Sequence, residues 1–230
     1  MRWKVVPSAV PRRRLLLIAV VVVVLLGGGG WLVYGSSALR VNTVDVRGVG
    51  FTDPEVIRAA AAIPSGTSLA AVDADEIAER VAAVPSVRSV EVSRDWPHTI
   101  VIEVVERTAR LAVPVDDDYL LVDGNGVAYR TVADPPAGAV TAILTDPGPS
   151  DPATAAVLTV LSSLTTGLEQ RVVGVEAKIA TRITVRLKDS RTVFWGDAAD
   201  SDRKAEVATV LLDRPEPHID VSAPDVPTVS

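Results

Sequence analysis

The feature that most constrains this chain is an uncharged, strongly apolar run near its amino terminus. Residues 15–34 read LLLIAVVVVVLLGGGGWLVY and contain no charged side chain. A bilayer core of about 30 Å requires about 20 apolar residues at 1.5 Å rise each, so the run is long enough to cross it. Gly27–Gly30 would weaken a soluble helix, but lipid offers the backbone no competing state that satisfies its amides. The run predicts a single transmembrane helix over residues 15–38.

The composition of the run predicts which residues anchor it. Trp31 and Tyr34 lie at its far end, where amphipathic rings prefer the headgroup level of a membrane. Leu15, Val20 and Leu25 are spaced through the apolar part and are assigned to the lipid-facing anchor. These five residues are the predicted membrane-anchoring set.

The flanking charges predict the orientation of the span. Residues 1–14 carry five basic and no acidic side chains, including Arg12, Arg13 and Arg14. Residues 15–230 carry 18 basic and 29 acidic side chains, a net charge of −11. Because positive flanks stay inside the cell, we expect a cytoplasmic tail over residues 1–14 and an acidic extracytoplasmic bulk. That acidic bulk gives no support for nucleic-acid binding.

Two other interpretations of the run were weighed. A cleaved signal peptide would use Arg12–Arg14 as its basic region, Leu15–Leu26 as its apolar core and Ser36-Ser37-Ala38 as its cleavage site. The run exceeds the usual apolar length of about 7–15 residues, which favours an uncleaved anchor. A buried soluble helix is disfavoured by the valine run and the four glycines.

Residues 39–108 predict a small α+β unit of β-α-α-β-β order. Val44 and Val46 alternate with polar residues, as in a half-buried strand. Thr52–Glu55 has the spacing of a capping box, and Asp73 with Glu76 has the same signal for a second helix. The first helix is expected to bury Val56, Ile57, Ala60 and Ala61, the second Ile77, Val81 and Val84, and the last strand Ile100, Ile102 and Val104.

Residues 109–230 predict a mostly antiparallel β domain with flanking helices. The turn Gly124-Asn125-Gly126 between two apolar runs is typical of a hairpin. A helix is expected from Pro152 to near Gly167, and another begins at Asp200 or Ser201 with Val207, Val210 and Leu211 buried. The expected strands are 120–123, 127–130, 142–145, 172–177, 183–187, 192–195, 219–222 and 226–229.

A search for catalytic or ligand-binding residues finds no convergent set. The chain has no cysteine, so no thiol can act as a nucleophile or a metal ligand. His98 and His218 are its two histidines and are expected at the surface. Asp116-Asp117-Asp118 lacks the alternating ligand positions of a calcium loop, and Asp123–Gly126 has turn chemistry. The sequence predicts a protein with no enzymatic activity, no metal and no cofactor.

Several stretches, in order along the chain, resemble the bacterial cell-division family FtsQ, also called DivIB. The most specific stretch contains the segments Leu69–Asp73, Val84-Pro85-Ser86-Val87, Val90–Arg94, Trp96-Pro97 with Thr99, and Ile100–Glu106 with Arg107. Downstream, Leu121–Asp123 with Gly126-Val127 is similar to the family's first β-domain hairpin, and 219–224 is similar to its terminal strand. The resemblance implies a basic tail, one span, a POTRA domain and a β domain.

What this resemblance implies is a scaffold of the division-site complex. Such proteins are thought to hold the partner pair FtsB and FtsL and, through them, to help regulate the septal peptidoglycan synthase. The implied contact is strand addition at the edge formed by the last strands, where the chain ends at Ser230. The expected partner-binding residues are Ile219, Val221, Ala223, Val226, Thr228 and Val229.

Two other functional classes were considered beside the scaffold. POTRA units also serve in transport or assembly factors that handle polypeptides by strand addition, although those usually carry several units or a following membrane barrel. An anchored cell-wall enzyme is disfavoured because the catalytic residues it would need are missing from the pattern.

Overall fold

The computed structural model describes Arg13, Leu17, residues 20–24, Gly28 and the continuous range 39–229. Residues 20–24 are helical, and Val20 and Arg13 are exposed. The other predicted anchor and topology residues, namely Leu15, Leu25, Trp31, Tyr34, Arg12 and Arg14, lie outside the described residues. Within the described part of the chain, no helix has both the length and the apolarity that crossing a bilayer demands.

From residue 39 onward the chain forms two compact units that divide between Glu106 and Arg107. The first unit has the predicted β-α-α-β-β order and forms a three-stranded sheet in the order β1-β3-β2. β1 is parallel to β3, and β2 is antiparallel to it. Its elements are β1 (Thr43–Arg47), α1 (Pro54–Ala61), α2 (Ala74–Ala82), β2 (Val87–Asp95) and β3 (Thr99–Glu106).

The core of the first unit follows from the apolar spacing of its elements. Ile57 and Ala61 of α1 pack with Ile77 and Val81 of α2 against one face of the sheet. Ile100, Ile102 and Val104 supply that face from β3, as the alternation predicts. One expected core residue, Val56, is instead 48% exposed, because it lies one position before Ile57 and turns away from the sheet.

Side-chain capping fixes where both helices of the first unit begin. Asp73 accepts hydrogen bonds from the amides of Asp75 and Glu76, which confirms the predicted start of α2. α1 differs from the prediction, because its N-cap is Asp53 and not Thr52. Pro54 then occupies the first helical position, where its missing N–H leaves no bond unmade.

Glu106, the last residue of β3, holds the loop that follows β1. Its carboxylate accepts hydrogen bonds from the amides of Gly50 (2.9 Å), Phe51 (3.2 Å) and Thr52 (2.8 Å). Burial raises the pKa of the Glu106 carboxyl. Hydrogen bonds from the Thr52 side chain and these three amides lower the pKa, and together they outweigh the effect of burial. The net result is a pKa below the ordinary value of a glutamate.

We expect Glu106→Gln to lower the free energy of unfolding of the first unit by roughly 1–2 kcal/mol at neutral pH. The folded-state pKa is depressed, so this stabilisation is fully present above the unfolded-chain value of about 4.3 and is lost as the pH falls through the folded-state pKa. Denaturant unfolding measured between neutral and acidic pH should therefore show the two proteins converging in acid. Glu103→Gln, an exposed change in the same strand, is the control; a constant gap at all pH values would contradict the assignment.

Within residues 107–229, the second unit contains nine strands and three helices. Its strands are β4 (Ala109–Val115), β5 (Asp118–Asp123), β6 (Ala128–Val132), β7 (Val140–Leu144), β8 (Val172–Ala177), β9 (Ile183–Leu187), β10 (Thr192–Gly196), β11 (His218–Asp220) and β12 (Thr228–Val229). Its helices are α3 (Pro152–Ser163), α4 (Thr166–Glu169) and α5 (Ser201–Leu211).

These strands form one sheet in the order β12-β11-β10-β9-β8-β7-β4-β5-β6. The pairs β4–β5, β5–β6, β8–β9, β9–β10 and β11–β12 are antiparallel. The pairs β4–β7, β7–β8 and β10–β11 are parallel, because a helix or a long connection returns the chain to the same end of the sheet. The predicted antiparallel character therefore holds for most of the pairings, and the sheet is mixed.

The core of the second unit lies between one face of this sheet and helices α3 and α5. Trp195 is fully buried there and donates from Nε1 to the Ser201 hydroxyl at 3.0 Å. Lys204 of α5 is also buried, and its ammonium contacts a carboxylate oxygen of Asp197 at 2.9 Å. This hydrogen bond comes first among the causes that hold the pKa of Asp197 below its usual value.

Two expectations about these helices are corrected. α3 ends at Ser163, and Thr165 then caps the separate short helix α4, so no single helix runs to Gly167. α5 buries Lys204, Ala205 and Ala208. Of the three residues expected to be buried, Val207 and Leu211 are half-buried against the core, and Val210 is instead 72% exposed.

Candidate partner-binding edge

The expected binding edge is built on β11, which lies parallel to β10. Thr192, Val193 and Phe194 of β10 are in register with 218–220 of β11. Beyond the strand, the amide of Val221 donates to the Phe194 carbonyl at 3.0 Å and continues the same ladder. The alternation sends the side chains of Ile219 and Val221 into the core, where both are buried. β11 is therefore firmly attached to the sheet.

β12 pairs antiparallel with β11 and is the outermost strand of the sheet within the described residues. Val229 is in register with Ile219, and Thr228 with Asp220. The strand expected over 226–229 is shorter than predicted, because the amide of Val226 donates to the Ala223 carbonyl at 2.9 Å and closes a turn. Pro227 follows that turn and has no N–H to contribute to a ladder.

Side-chain contacts tie the segment between the two strands to the rest of the unit. Asp220 accepts from the Ser222 amide at 2.9 Å and from its hydroxyl at 2.7 Å. Asp225 forms an ion pair with Arg203 of α5, between two exposed side chains. Gly196 comes so close to Ser222 that an added Cβ would lie 2.9 Å from its Cβ. These contacts place β12 at a defined position.

The six predicted binding residues fall into three groups: buried, half-buried and exposed. Ile219 and Val221 pack in the core, so their side chains hold the edge in place and do not present a surface. Val229 is half-buried against the same core. The exposed members are Ala223, Val226 and Thr228. A partner strand lying along β12 could therefore meet the backbone of β12 and these three side chains.

A groove on the open face of the sheet was not anticipated from the sequence. It encloses about 480 Å³ on the face opposite the helices, beside the strands β8 to β10. Its lining combines cations with apolar side chains and consists of Glu176, Lys178, Ile179, Arg182, Thr184 and Phe194. Phe194 could have indicated this groove from the sequence. Side chains alternate along a strand, so burial of Val193 and Trp195 places the Phe194 ring on the opposite, open face.

The two sheets offer other edges as well. β6 lies at the opposite side of the large sheet from β12, and β2 lies at one side of the small sheet. β2 is nine residues long and exposes Arg88, Ser89, Glu91 and Ser93. Charged residues on an edge strand discourage unspecific pairing, so length alone does not select the binding edge.

His218 and the acidic run are exposed, as their sequence contexts suggest, whereas His98, also expected at the surface, is half-buried. His218 is exposed, and its Nδ1 lies 2.8 Å from the Thr192 hydroxyl. His98 is half-buried in the β2–β3 turn. Asp116 and Asp117 form an exposed turn between β4 and β5. Over the described ranges, no group of three His, Asp or Glu side chains is arranged to hold a metal ion.

The chain is similar to known proteins over most of its length. A family model described as "POTRA domain, FtsQ-type" matches residues 39–107. A cell division protein FtsQ from Streptomyces bingchenggensis is 37% identical over 210 residues, which cover 87% of this chain and 79% of that protein. The chain belongs to the FtsQ family of cell division proteins. The resemblance found in the sequence is thereby confirmed.

Other FtsQ proteins match a similar share of the chain. The FtsQ proteins of Mycobacteroides abscessus and Mycobacterium tuberculosis are each 35% identical over 198 residues, or 86% of this chain. The chain spans 64% and 62% of their respective lengths, a little under two thirds. A solved extracytoplasmic domain of DivIB from Geobacillus stearothermophilus covers 48% of this chain and 97% of its own, with 17% identity and a TM-score of 0.35.

Glu106 and Arg107 were part of the resemblance to FtsQ, and each makes its contacts in a different unit. Glu106 accepts hydrogen bonds from three successive loop amides of the first unit. Arg107 forms an ion pair at 2.6 Å with Asp123 of the second unit. Each residue therefore fastens its own unit next to the point where the two units divide.

Proposed function

We propose that this chain is a non-enzymatic, membrane-anchored scaffold of the bacterial division complex. In this proposal it holds other division proteins, similar to FtsB and FtsL, and helps regulate septal peptidoglycan synthesis through them. Membership in the FtsQ family carries the division role. The observation that supports partner capture is the two-residue strand β12, which ends the large sheet within the described residues.

Strand addition at β12 is chemically reasonable for three reasons. A sheet edge presents backbone N–H and C=O groups that an extended partner segment can pair with. The inner side of β12 is held by β11, whose side chains at 219 and 221 are buried, so the edge is preorganised. The exposed side chain of Thr228 on β12 can add selectivity, and Ala223 and Val226 flank it in the preceding turn.

The proposed arrangement along the chain keeps the domains predicted from the sequence. Residues 1–14 form a cytoplasmic basic tail, 15–38 a transmembrane helix, 39–108 the POTRA domain and 109–230 the β domain. The charge asymmetry between residues 1–14 and the rest supports an extracytoplasmic bulk, and membership in the FtsQ family supports a place at the division septum. The non-enzymatic role is supported by a sequence with no cysteine and with two histidines in separate settings.

Val229→Asp is expected to weaken capture of the FtsB-like partner by at least about tenfold, or about 1.4 kcal/mol, because it puts a charge on the edge strand and removes the packing of Val229 that holds β12 against the core. Val226→Asp should weaken capture less, since Val226 lies in the turn before β12. The measurement is co-purification of the full chain with co-expressed FtsB-like and FtsL-like proteins, followed by titration of the partner.

The matched control is Val210→Asp, because Val210 (72% exposed) is as exposed as Val226 (73%) but lies on α5. It should bind like the unchanged protein. Unchanged capture by both edge variants would remove β12 as the binding edge. Loss of capture in the Val210→Asp control as well would mean that added negative charge, and not edge pairing, is what the partner avoids.

A further inference from the structure

An exposed tryptophan lies at the tip of the β2–β3 hairpin. Asp95 and Thr99 are the last paired residues, so Trp96, Pro97 and His98 form the connecting loop. Trp96 is 52% exposed, whereas Trp195 of the second unit is fully buried. The indole therefore has no role in the core of the first unit. Such a ring is favoured where one side is apolar and the other wet.

The hairpin tip lies where the chain enters the first unit. The carbonyl of His98 accepts hydrogen bonds from the amides of Asn42 (2.9 Å) and Thr43 (3.3 Å). β1 is parallel to β3, and Thr43 is in register with Thr99, so both strands start at the tip. A side-chain contact steadies the same end, since Arg94 donates to the Val72 carbonyl at 2.6 Å.

The chain between the proposed span and this point is short. Seven residues, 35–41, separate Tyr34 from Asn42 in the sequence. Even fully extended, that tether reaches roughly 29 Å, at up to 3.6 Å per residue. If Tyr34 marks the outer end of the span, as proposed above, the tether keeps Asn42, beside the Trp96 tip, within roughly 29 Å of the lipid headgroup layer. The distance argument therefore rests on the proposed membrane anchor.

We propose that the hairpin tip, Trp96 with Pro97, rests in the headgroup layer of the membrane and orients the first unit on it. The occupant of this surface is the lipid of the same bilayer that holds the span. Tryptophan is enriched at membrane interfaces because its ring is apolar and its N–H is polar. The charges beside it, Arg94 and Asp95, are both exposed and of opposite sign. Recognition therefore depends on the indole and the proline ring more than on anionic lipid.

The first unit supplies its own control at the other end of β3. Phe51 is an exposed aromatic residue. Its amide donates to Glu106, the last residue of β3, so it lies at the end of the sheet away from Trp96. The substitution Phe51→Trp therefore places a reporter tryptophan at the end of the first unit that is expected to lie away from the membrane.

The test uses the full chain in phosphatidylcholine vesicles that contain lipids brominated near the headgroup. Trp3 and Trp31 are changed to phenylalanine, which leaves Trp96 and the buried Trp195 as the remaining tryptophans of the chain. Bromine is expected to quench Trp96 roughly twofold or more, and to quench little in a Phe51→Trp, Trp96→Phe exchange variant. The Trp96→Phe variant gives the contribution of Trp195. Adding phosphatidylglycerol is expected to change the quenching little.

Flotation with the same vesicles separates the two proposals, and it uses the unchanged chain, which keeps Trp31. A chain that fails to float with the vesicles overturns the membrane anchor and this inference together. A chain that floats, but whose Trp96 is quenched no more than the tryptophan at position 51, overturns the membrane contact and leaves the anchor standing. Shielding of Trp96 only after co-reconstitution with FtsB-like and FtsL-like proteins would assign the tip to a protein partner and would also overturn the lipid contact.

Discussion

Replacing Gly48 with alanine is expected to lower the free energy of unfolding of the first unit by roughly 3–5 kcal/mol, a large share of a domain's total. Gly48 has φ +79°, a conformation that costs other residues about 1–2 kcal/mol. An added Cβ would also lie 2.0 Å from the Val104 carbonyl oxygen. That oxygen belongs to the backbone of the central strand β3, so neither strand can move aside without loss of pairing.

The Gly48→Ala effect can be separated into its two causes. Gly66 has a similar φ of +81°, but nothing lies within 4 Å of its missing Cβ. Gly66→Ala should therefore cost only the conformational part, about 1–2 kcal/mol. Hydrogen exchange of the full chain, followed by mass spectrometry, should show lost protection in β1 and β3 for Gly48→Ala. Equal effects of the two substitutions would show that the close approach to β3 is relieved at little cost.

Local patterns were enough to predict most of the first unit. Ile77 and Val81 of α2 and the alternation in β3 each follow a single periodicity within one short segment. Val84, expected on the same helical stripe, lies beyond the end of α2 and is half-buried against the core. Asp73 carries the capping signal three residues before Glu76. The N-cap of α1 was predicted wrongly, because both Thr52 and Asp53 can cap a helix. Glu106, 54 residues further on, binds the Thr52 amide and settles the choice.

The second unit depends more on contacts that no local pattern records. The prediction for α5 placed its apolar residues inward and its charged residues outward. In the structure Lys204 is buried and pairs with Asp197, whereas Val210 is exposed. The parallel pairs β4–β7 and β7–β8 join segments that are distant in the sequence, and hydrophobic alternation carries no information on strand direction. These are choices of tertiary packing, and propensity yields to packing.

The sequence predicted where the candidate edge lies, but it did not predict how short its outer strand is. The apolar residues at 219 and 221 have the alternation of a strand, and β11 forms there with both side chains buried. Val226 and Val229 gave the same apolar signal, yet the turn closed by Ala223 removes Val226 from the ladder. A single backbone hydrogen bond therefore decides which of the predicted contacts lie on the edge strand.

Replacing Asp123 with alanine is expected to lower the free energy of unfolding of the second unit by roughly 3–4 kcal/mol. Asp123 was predicted to be a turn residue, and Oδ1 does accept from the turn amides of Asn125 (2.8 Å) and Val127 (2.9 Å). Its other oxygen forms the 2.6 Å ion pair with Arg107, and the two side chains are only 4% and 17% exposed. Alanine removes all three bonds at once and takes the counter-charge from a guanidinium that is largely out of water.

The second unit contains a matched pair that isolates the effect of burial. Arg203 and Asp225 are also an arginine and an aspartate in contact, but their side chains are 62% and 72% exposed. Asp225→Ala should cost at most about 1 kcal/mol, because water and salt already screen that pair. Asp123→Asn should fall between the two, since an amide oxygen can still serve the turn amides without the charge. Denaturant unfolding measures all three, followed by the fluorescence of the buried Trp195 in a chain whose Trp3, Trp31 and Trp96 are changed to phenylalanine. If Asp123→Ala cost no more than Asp225→Ala, the Arg107–Asp123 bond would be a minor surface contact, and Arg107 would lose the fastening role assigned to it here.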